Sequence, residues 1–141
     1  MAVSRSRSRK PRGWILDKSG AARAVLPAVR RDLDALAEPV ALCPIGRLEQ
    51  LYSARSAGDY DELASAMRTA FPVVDPPATV FEDALRLQAD LAHHHGMWHR
   101  TPIPDLLIAV TALAHGYGVL HVDRDYERIA EVRPLVVRRL G

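Results

Sequence analysis

Cysteine is almost absent from this chain of 141 residues, and its single thiol, Cys43, has no partner for an intramolecular disulfide. No apolar run approaches the roughly 18 residues of a transmembrane helix, and the N-terminus lacks the apolar core of a secretory signal. A reducing compartment is therefore expected, with the cytoplasm as the predicted location and a buried, inert thiol in the run VALC. The sequence also lacks a glycine-rich phosphate loop and any internal repeat, so nothing supports a P-loop nucleotide site or a repeat fold.

Positive charge is concentrated at one end of the chain. The net charge is +2 and the pI is near 9.0, but residues 1–13 hold five cations and no acid. The remaining residues carry 14 cations and 17 acids, so the body of the protein is mildly acidic, at −3. We expect residues 1–13 to form a disordered tail rich in serine and arginine, and residues 14–141 to form one folded domain. Either a solubilising extension or a nonspecific phosphate-binding arm would account for such a tail.

Short apolar runs alternate with helical stretches along the body of the chain, which is typical of βα units. Strands are predicted at WILD, PVALC, FPVV, GVLHVD and PLVVRR. Four or five such strands joined by helices predict a three-layer α/β/α domain built around a mostly parallel sheet. One long amphipathic helix is expected from about residue 78 to about residue 95, with Phe81 and Leu85 among its core-facing positions.

Three acids fall at the same edge of this predicted sheet. In a parallel sheet the strands end, and the following helices begin, at one edge, and open α/β sheets bind their ligands there. Asp17 closes the strand WIL, Asp123 closes the strand VLHV, and Asp105 lies in the first turn of the helix that includes Pro104. The topology therefore predicts that these three carboxylates converge.

A fourth acid, Glu49, lies on a predicted helix whose apolar positions include its neighbours Ile45, Leu48 and Tyr52. This pattern places the Glu49 carboxylate on the inward face, where a charge without a partner costs on the order of several kcal/mol. Converging carboxylates without cysteine or paired histidine select Mg²⁺ or Mn²⁺ over zinc. The predicted chemistry is hydrolysis of a phosphodiester bond by a metal-activated water.

Each acid also has a simpler explanation. Asp105 can complement the positive end of a helix, Asp17 can cap the turn that follows it, and Glu49 can be half exposed. The metal site is the favoured interpretation because three unrelated explanations would otherwise be needed at one edge of the sheet.

Four acid-bearing blocks, in this order, resemble the PIN domain and specifically the toxin ribonucleases of VapC type. The blocks are WILDKSGAARA, CPIGRLEQLYSAR, HRTPIPDLLIAVTALAHG and VLHVDRDYERIAEV. The resemblance covers residues 14–141. It implies an endoribonuclease that acts on RNA, depends on Mg²⁺ or Mn²⁺, forms a homodimer and is held inactive by a cognate antitoxin protein.

The same resemblance implies a set of metal ligands that are also the catalytic residues. They are Asp17, Glu49, Asp105 and one acid of the DRD block, either Asp123 or Asp125. Asp123 is favoured because it ends a strand, whereas Asp125 can cap the next helix or bind through water. Ser19 corresponds to the hydroxyl commonly found beside the first aspartate and is assigned to substrate binding.

Trp98 and Arg100 lie in the loop before Asp105, close to the predicted site. The Trp98 indole could stack on a base and the Arg100 guanidinium could hold a phosphate, although covering the long helix explains Trp98 equally well. The histidine-rich run HHHGMWH fits no common zinc spacing and is interpreted as a solvated helix end.

The predicted function is therefore a metal-dependent endoribonuclease, the toxin of a toxin-antitoxin pair, in which carboxylates hold Mg²⁺ and no side chain acts as the nucleophile. The alternative is a non-catalytic module of the same fold that binds nucleic acid or another protein. Metal-dependent cleavage of RNA separates the two hypotheses.

Overall fold

A parallel sheet of four strands lies at the centre of the computed structural model, which describes residues 10–17, 27–94, 100–121 and 124–140. The strands are β1 (Trp14–Leu16), β2 (Val40–Ala41), β3 (Gly118–His121) and β4 (Val137–Arg139), in the spatial order β2-β1-β3-β4. The described helices are α1 (Pro27–Asp34), α2 (Pro44–Tyr52), α3 (Ala57–Ala70), α4 (Val80–His93), α5 (Ile103–His115) and α6 (Asp125–Ala130). None of them is long and apolar enough to cross a membrane.

Alternate residues of the strands point to opposite faces of the sheet and build two apolar layers. On one face, Ile15 of β1 and Val119 of β3 pack against α4, α5 and α6. On the other face, Trp14 and Leu16 of β1 and Leu120 of β3 pack against α1, α2 and α3. The predicted three-layer α/β/α arrangement around a parallel sheet is confirmed, with four strands.

Helix α5 carries the chain from the side of the sheet where the strands end back to the side where they begin. It ends at Gly116, whose φ of 70° lies in the left-handed region that glycine adopts without steric cost. Strand β3 begins at Gly118 and runs parallel to β1. Because α5 delivers the chain to the start of β3, the first turn of α5 lies at the opposite edge, where β1 ends.

The contacts of the domain begin shortly before β1. The N–H of Arg12 donates to the Gly116 carbonyl at 2.9 Å, and the N–H of Gly118 donates to the Gly13 carbonyl at 2.9 Å. The end of the predicted tail is therefore bonded to the domain, because it prolongs the pairing of β1 with β3. Disorder of the tail stays a prediction for residues 1–9, which lie outside the described residues.

Two local predictions are wrong. The run FPVV contributes one bridge, between Leu42 and Val73, rather than a strand. In α4, Phe81 and Leu85 are 70% and 65% exposed, so they do not face the core. The buried stripe of this helix is narrower than its apolar composition suggests and consists of Val80, Ala84, Leu87 and Leu91.

Candidate metal centre

Three carboxylates converge at the edge of the sheet where the strands end. Asp17, Glu49 and Asp105 each offer one oxygen, and these oxygens all lie within 4.8 Å of one another. Asp17 and Asp105 are buried, at 3% and 7% exposure, and Glu49 is half-buried. Three negative charges from distant parts of the sequence thus share one small, mostly buried volume.

Regular backbone structure fixes two of these acids. Asp17 directly follows β1, and its N–H donates to the Leu120 carbonyl of β3 at 3.0 Å. Asp105 lies in the first turn of α5, and its N–H donates to the Pro102 carbonyl at 3.0 Å. Pro104 suits this turn because its missing N–H would have no partner within the helix. The positive end of the α5 dipole also favours a carboxylate at this position.

Helix α2 brings the third acid to the site by packing its Gly46 side beside the end of β1 and against α5. Gly46 lies one turn before Glu49 and on the same side of the helix. A Cβ atom at Gly46 would lie 4.0 Å from the Leu16 carbonyl oxygen and 3.9 Å from Cδ1 of Ile108. The side of α2 that carries Glu49 therefore faces the end of β1 and α5, and this directs the Glu49 carboxylate towards Asp17.

The apolar face that was predicted for α2 is confirmed for Ile45, which packs against the first apolar layer, and wrong for Leu48 and Tyr52. Leu48 and Tyr52 are 69% and 92% exposed, so they do not share a buried side with Glu49. Leu51 is the residue of this helix that reaches the second apolar layer. Glu49 shares its inward side with Ile45 and with the buried Gly46, and not with Leu48 or Tyr52.

A buried tyrosine completes the site, and no sequence pattern indicates its role. The hydroxyl oxygen of Tyr126, a residue of α6, lies 3.0 Å from Oδ1 of Asp17 and 3.4 Å from Oδ1 of Asp105. The single hydroxyl hydrogen donates to Asp17, with Asp105 as the more distant acceptor of a shared bond, from a position with no solvent exposure. In the sequence, its only signal is a large ring in the DYERIAEV block, and packing alone would explain such a ring.

The thiol of Cys43 responds to the negative charge of the site. Burial raises the pKa of Cys43 above its ordinary value of 9.0, and the charges of Glu49 and Asp17 raise it further. The backbone N–H groups of Gly46 and Ile45 oppose this shift. The thiol is therefore protonated at neutral pH and buried, as the apolar run VALC predicts.

The donor set fits a hard divalent cation. All three groups are carboxylates, and the separation of their oxygens allows one ion to contact each of them. Three negative charges in a mostly buried position favour a cation among them, since buried charge is costly unless it is neutralised. Oxygen ligands without sulfur or nitrogen suit Mg²⁺ or Mn²⁺ better than zinc.

Of the other predicted site residues, two are described by the structure and three are not. Asp125 lies in the first turn of α6, where it complements the positive end of that helix, and it falls outside the group of acids that the described residues form. Arg100 is exposed in the turn before α5. Asp123, Ser19 and Trp98 lie outside the described residues.

The histidine-rich run does not build a metal centre within the part of the chain that the structure describes. His93 is exposed at the end of α4, and its Nδ1 lies 2.7 Å from the Ala89 carbonyl oxygen. His93 thus agrees with the interpretation of a solvated helix end, whereas His94 is half-buried, with its Nε2 3.6 Å from Oε1 of Glu131. Residues 95–99, which hold the rest of this run, lie outside the described residues.

Most of the chain, residues 14–132, matches the PIN domain. The chain belongs to the PIN domain family. This PIN domain is similar to Ribonuclease VapC17 of Mycobacterium tuberculosis, with 56% identity over 124 residues that cover 86% of this chain and 90% of that protein. It is also similar to Ribonuclease VapC21 of the same organism, with 44% identity over 121 residues that cover 84% of this chain and 87% of that protein.

Solved structures share the fold of this PIN domain at low sequence identity. The structure of VapBC2 from Rickettsia felis, bound to a DNA fragment from the promoter, aligns with a TM-score of 0.74 and 16% identity over 91% of this chain and 98% of that chain. The structure of VapBC-1 from nontypeable Haemophilus influenzae aligns with a TM-score of 0.69 and 15% identity, over 89% and 96% of the two chains. The predicted fold is confirmed by these matches.

Proposed function

We propose that this PIN domain is a metal-dependent endoribonuclease and the toxin component of a toxin-antitoxin pair. The observation that carries the proposal is the convergence of Asp17, Glu49 and Asp105, whose oxygens lie within 4.8 Å of one another. The relatives support the substrate, because proteins that are 56% and 44% identical to this chain are named ribonucleases.

In this proposal Asp17, Glu49 and Asp105 hold Mg²⁺ or Mn²⁺, and Asp123 is a fourth ligand. When bound, the ion supplies an activated water and stabilises the charge that develops at the scissile phosphate. Asp17 and Asp105 are fixed by their positions at the end of β1 and the start of α5, so the charges are placed before the substrate arrives. No side chain of the protein is required as a nucleophile.

We assign the substrate contacts to residues around the start of α5 and the end of β1. Arg100 is exposed five positions before Asp105, where its guanidinium can hold a phosphate of the RNA. Trp98 and Ser19 are assigned to base stacking and to a hydrogen bond with the substrate. These contacts would position the scissile phosphate beside the carboxylates.

The partners of this PIN domain are proposed to be RNA, a cognate antitoxin and a second copy of the chain, in the cytoplasm. Support for the antitoxin comes from proteins of the same fold, which include VapBC2 from Rickettsia felis and a toxin-antitoxin complex from Klebsiella pneumoniae. An antitoxin fits the proposed activity, since unrestrained cleavage of RNA would harm the cell that makes the enzyme.

The test is cleavage of a defined RNA pool with Mn²⁺, with Mg²⁺ and with EDTA, followed by mapping of the new ends. Cleavage should require the metal. Single substitutions Asp17→Asn, Glu49→Gln and Asp105→Asn should each lower the rate by at least about 100-fold, since even outer groups of metal sites contribute about 10-fold to 100-fold. Asp61→Asn is the matched control, because it neutralises an exposed acid of α3 outside the cluster.

Two results would contradict the proposal. Wild-type cleavage by all three cluster variants would show that the carboxylates do not form the catalytic centre. Tight RNA binding with no cleavage in any metal would favour the non-catalytic module instead. A growth assay gives an independent readout, because expression of the wild type, but not of Asp105→Asn, should arrest bacterial growth.

A further inference from the structure

Tyr126 connects two acids of the proposed metal centre through one hydroxyl group. Its oxygen lies 3.0 Å from Oδ1 of Asp17 and 3.4 Å from Oδ1 of Asp105. The two acids come from different elements, the end of β1 and the start of α5, and Tyr126 comes from a third, α6. One side chain therefore links three elements at the point where the carboxylates meet.

The position of this hydroxyl is set by packing of the tyrosine ring. Tyr126 and Ile129 of α6 have no solvent exposure and belong to the apolar layer under the sheet. The Tyr126 ring also contacts the ring of His121, at the end of β3, with 5.7 Å between centroids and 40° between planes. Because the ring is enclosed, its hydroxyl is a fixed donor rather than one that adjusts to the carboxylates.

A fixed donor between two acids has a specific electrostatic effect. Two carboxylates at this separation repel each other, and the positive end of the O–H dipole offsets part of that repulsion. A carboxylate has two oxygens with about four acceptor positions, so accepting a bond from Tyr126 leaves Asp17 and Asp105 able to bind a cation. The hydroxyl can thus hold both groups in place without competing with the metal.

We propose that Tyr126 is a positioning residue for the metal centre, holding Asp17 and Asp105 together so that they bind a divalent cation tightly. This inference rests on the proposed function and adds a residue that acts on the metal through its ligands. Groups that orient metal ligands contribute about 10-fold to 100-fold to metal affinity. A structural role alone would instead appear as a change in the stability of the metal-free protein.

The experiment measures Mn²⁺ binding without RNA, by electron paramagnetic resonance and calorimetry, in the full chain. Tyr126→Phe keeps the ring and removes the donor, and it should raise the Kd for Mn²⁺ by about 10-fold to 100-fold. Tyr117→Phe is the matched control, because Tyr117 also packs against the same apolar layer but follows the opposite end of α5. Its Kd should equal that of the wild type.

A second variant separates the hydrogen bond from any effect on folding. Incorporation of 4-aminophenylalanine at position 126 keeps the ring and restores an N–H donor, so it should recover most of the lost Mn²⁺ affinity. Circular dichroism of the metal-free proteins at the temperature of titration establishes that each variant is folded. If Tyr126→Phe does not fold, the comparison of the 4-aminophenylalanine protein with the wild type decides, and equal affinity supports a donor at this position.

The outcomes distinguish this inference from the function on which it rests. Absence of Mn²⁺ binding by the wild type overturns the metal centre and, with it, the role of Tyr126. Tight binding by the wild type and an equal Kd for Tyr126→Phe overturns the positioning role alone. A higher Kd for Tyr126→Phe that 4-aminophenylalanine does not lower also overturns it, because the hydrogen bond would then not be the cause.

Discussion

Replacing Asp105 by asparagine tests the electrostatics of the site without any RNA. The substitution nearly preserves the shape of the side chain and removes one of three negative charges whose oxygens lie within 4.8 Å. In metal-free buffer these charges repel one another and oppose folding, whereas a bound cation reverses the sign of their contribution. The same substitution should therefore have opposite effects on stability in EDTA and in Mg²⁺.

The size of the effect follows from the geometry. At an effective dielectric constant of 20, each pair of charges costs about 3 kcal/mol at the largest separation in the cluster, 4.8 Å, and the spread of each charge over two oxygens lowers this figure. Asparagine removes two such pairs and loses about 1 kcal/mol for the long bond from Tyr126 and about 0.3 to 1 kcal/mol at the helix start. The difference leaves up to about 4 kcal/mol, so we expect Asp105→Asn to be more stable than the wild type in EDTA by up to about 4 kcal/mol, or about 16 °C in melting temperature.

Thermal melts in EDTA and in a series of Mg²⁺ concentrations measure both signs. At a concentration of 100 times its Kd, Mg²⁺ should stabilise the wild type by about 2.7 kcal/mol. If asparagine raises the Kd about 100-fold, the variant gains only about 0.4 kcal/mol under the same conditions. The decisive quantity is this difference between the two gains, since it does not depend on the starting stability of either protein.

A matched control separates the cluster from a simple charge at a helix start. Asp59 lies in the first turn of α3, is exposed and belongs to no group of acids like that of Asp105 among the described residues. Asp59→Asn should be no more stable than the wild type in EDTA and should gain as much from Mg²⁺. If Asp105→Asn behaves in the same way as Asp59→Asn, Asp105 only complements the α5 dipole and the reasoning is refuted.

Two further predictions concern the tail and the thiol. Deleting residues 1–9 removes three arginines but keeps the hydrogen bond from Arg12 to the domain. The slope of the logarithm of the RNA association constant against the logarithm of the salt concentration should therefore become shallower by about 2. An unchanged slope would show that the tail does not bind RNA. The pKa of Cys43 is raised above 9.0, chiefly by burial, so at pH 8 the folded protein should resist thiol reagents that react at once after unfolding. Rapid labelling of the native protein would contradict the burial of Cys43. Because the pKa of the thiol is higher in the folded protein than in the unfolded chain, its contribution to stability is present below pH 9 and is lost as the pH rises beyond it.

The positions of Asp17 and Asp105 could be predicted from the sequence because they depend on topology alone. Apolar runs separated by helices specify a parallel sheet, and a parallel sheet places the end of β1 and the start of α5 at one edge. This prediction succeeds because each strand or helix is specified by its own local pattern of apolar residues. Their meeting at 4.8 Å or less then follows from the connection of α5 to β3.

The inward direction of Glu49 was predicted for a reason that is only partly right, since Ile45 packs against the first apolar layer but Leu48 and Tyr52 do not. Apolar periodicity treats every large apolar residue of a helix as buried, but α2 lies at the edge of the domain and is covered on only part of its surface. Leu48 and Tyr52 consequently remain exposed, at 69% and 92%. The buried side of α2 instead contains Gly46 and Ile45, which pack beside the end of β1 and against the first apolar layer.

The role of Tyr126 could be predicted neither from strand topology nor from apolar periodicity, because the residues that it contacts are distant in the sequence. Its partners Asp17 and Asp105 are 109 and 21 residues away in the sequence, so no local spacing relates the three. Periodicity identifies position 126 as buried, and phenylalanine would satisfy that requirement as well as tyrosine does. The hydroxyl acquires a partner only when the edge of the sheet and the apolar layer are assembled together. A polar atom on a core residue beside a cluster of charges is therefore a feature of the tertiary structure, and the phenylalanine substitution at this position tests that feature alone.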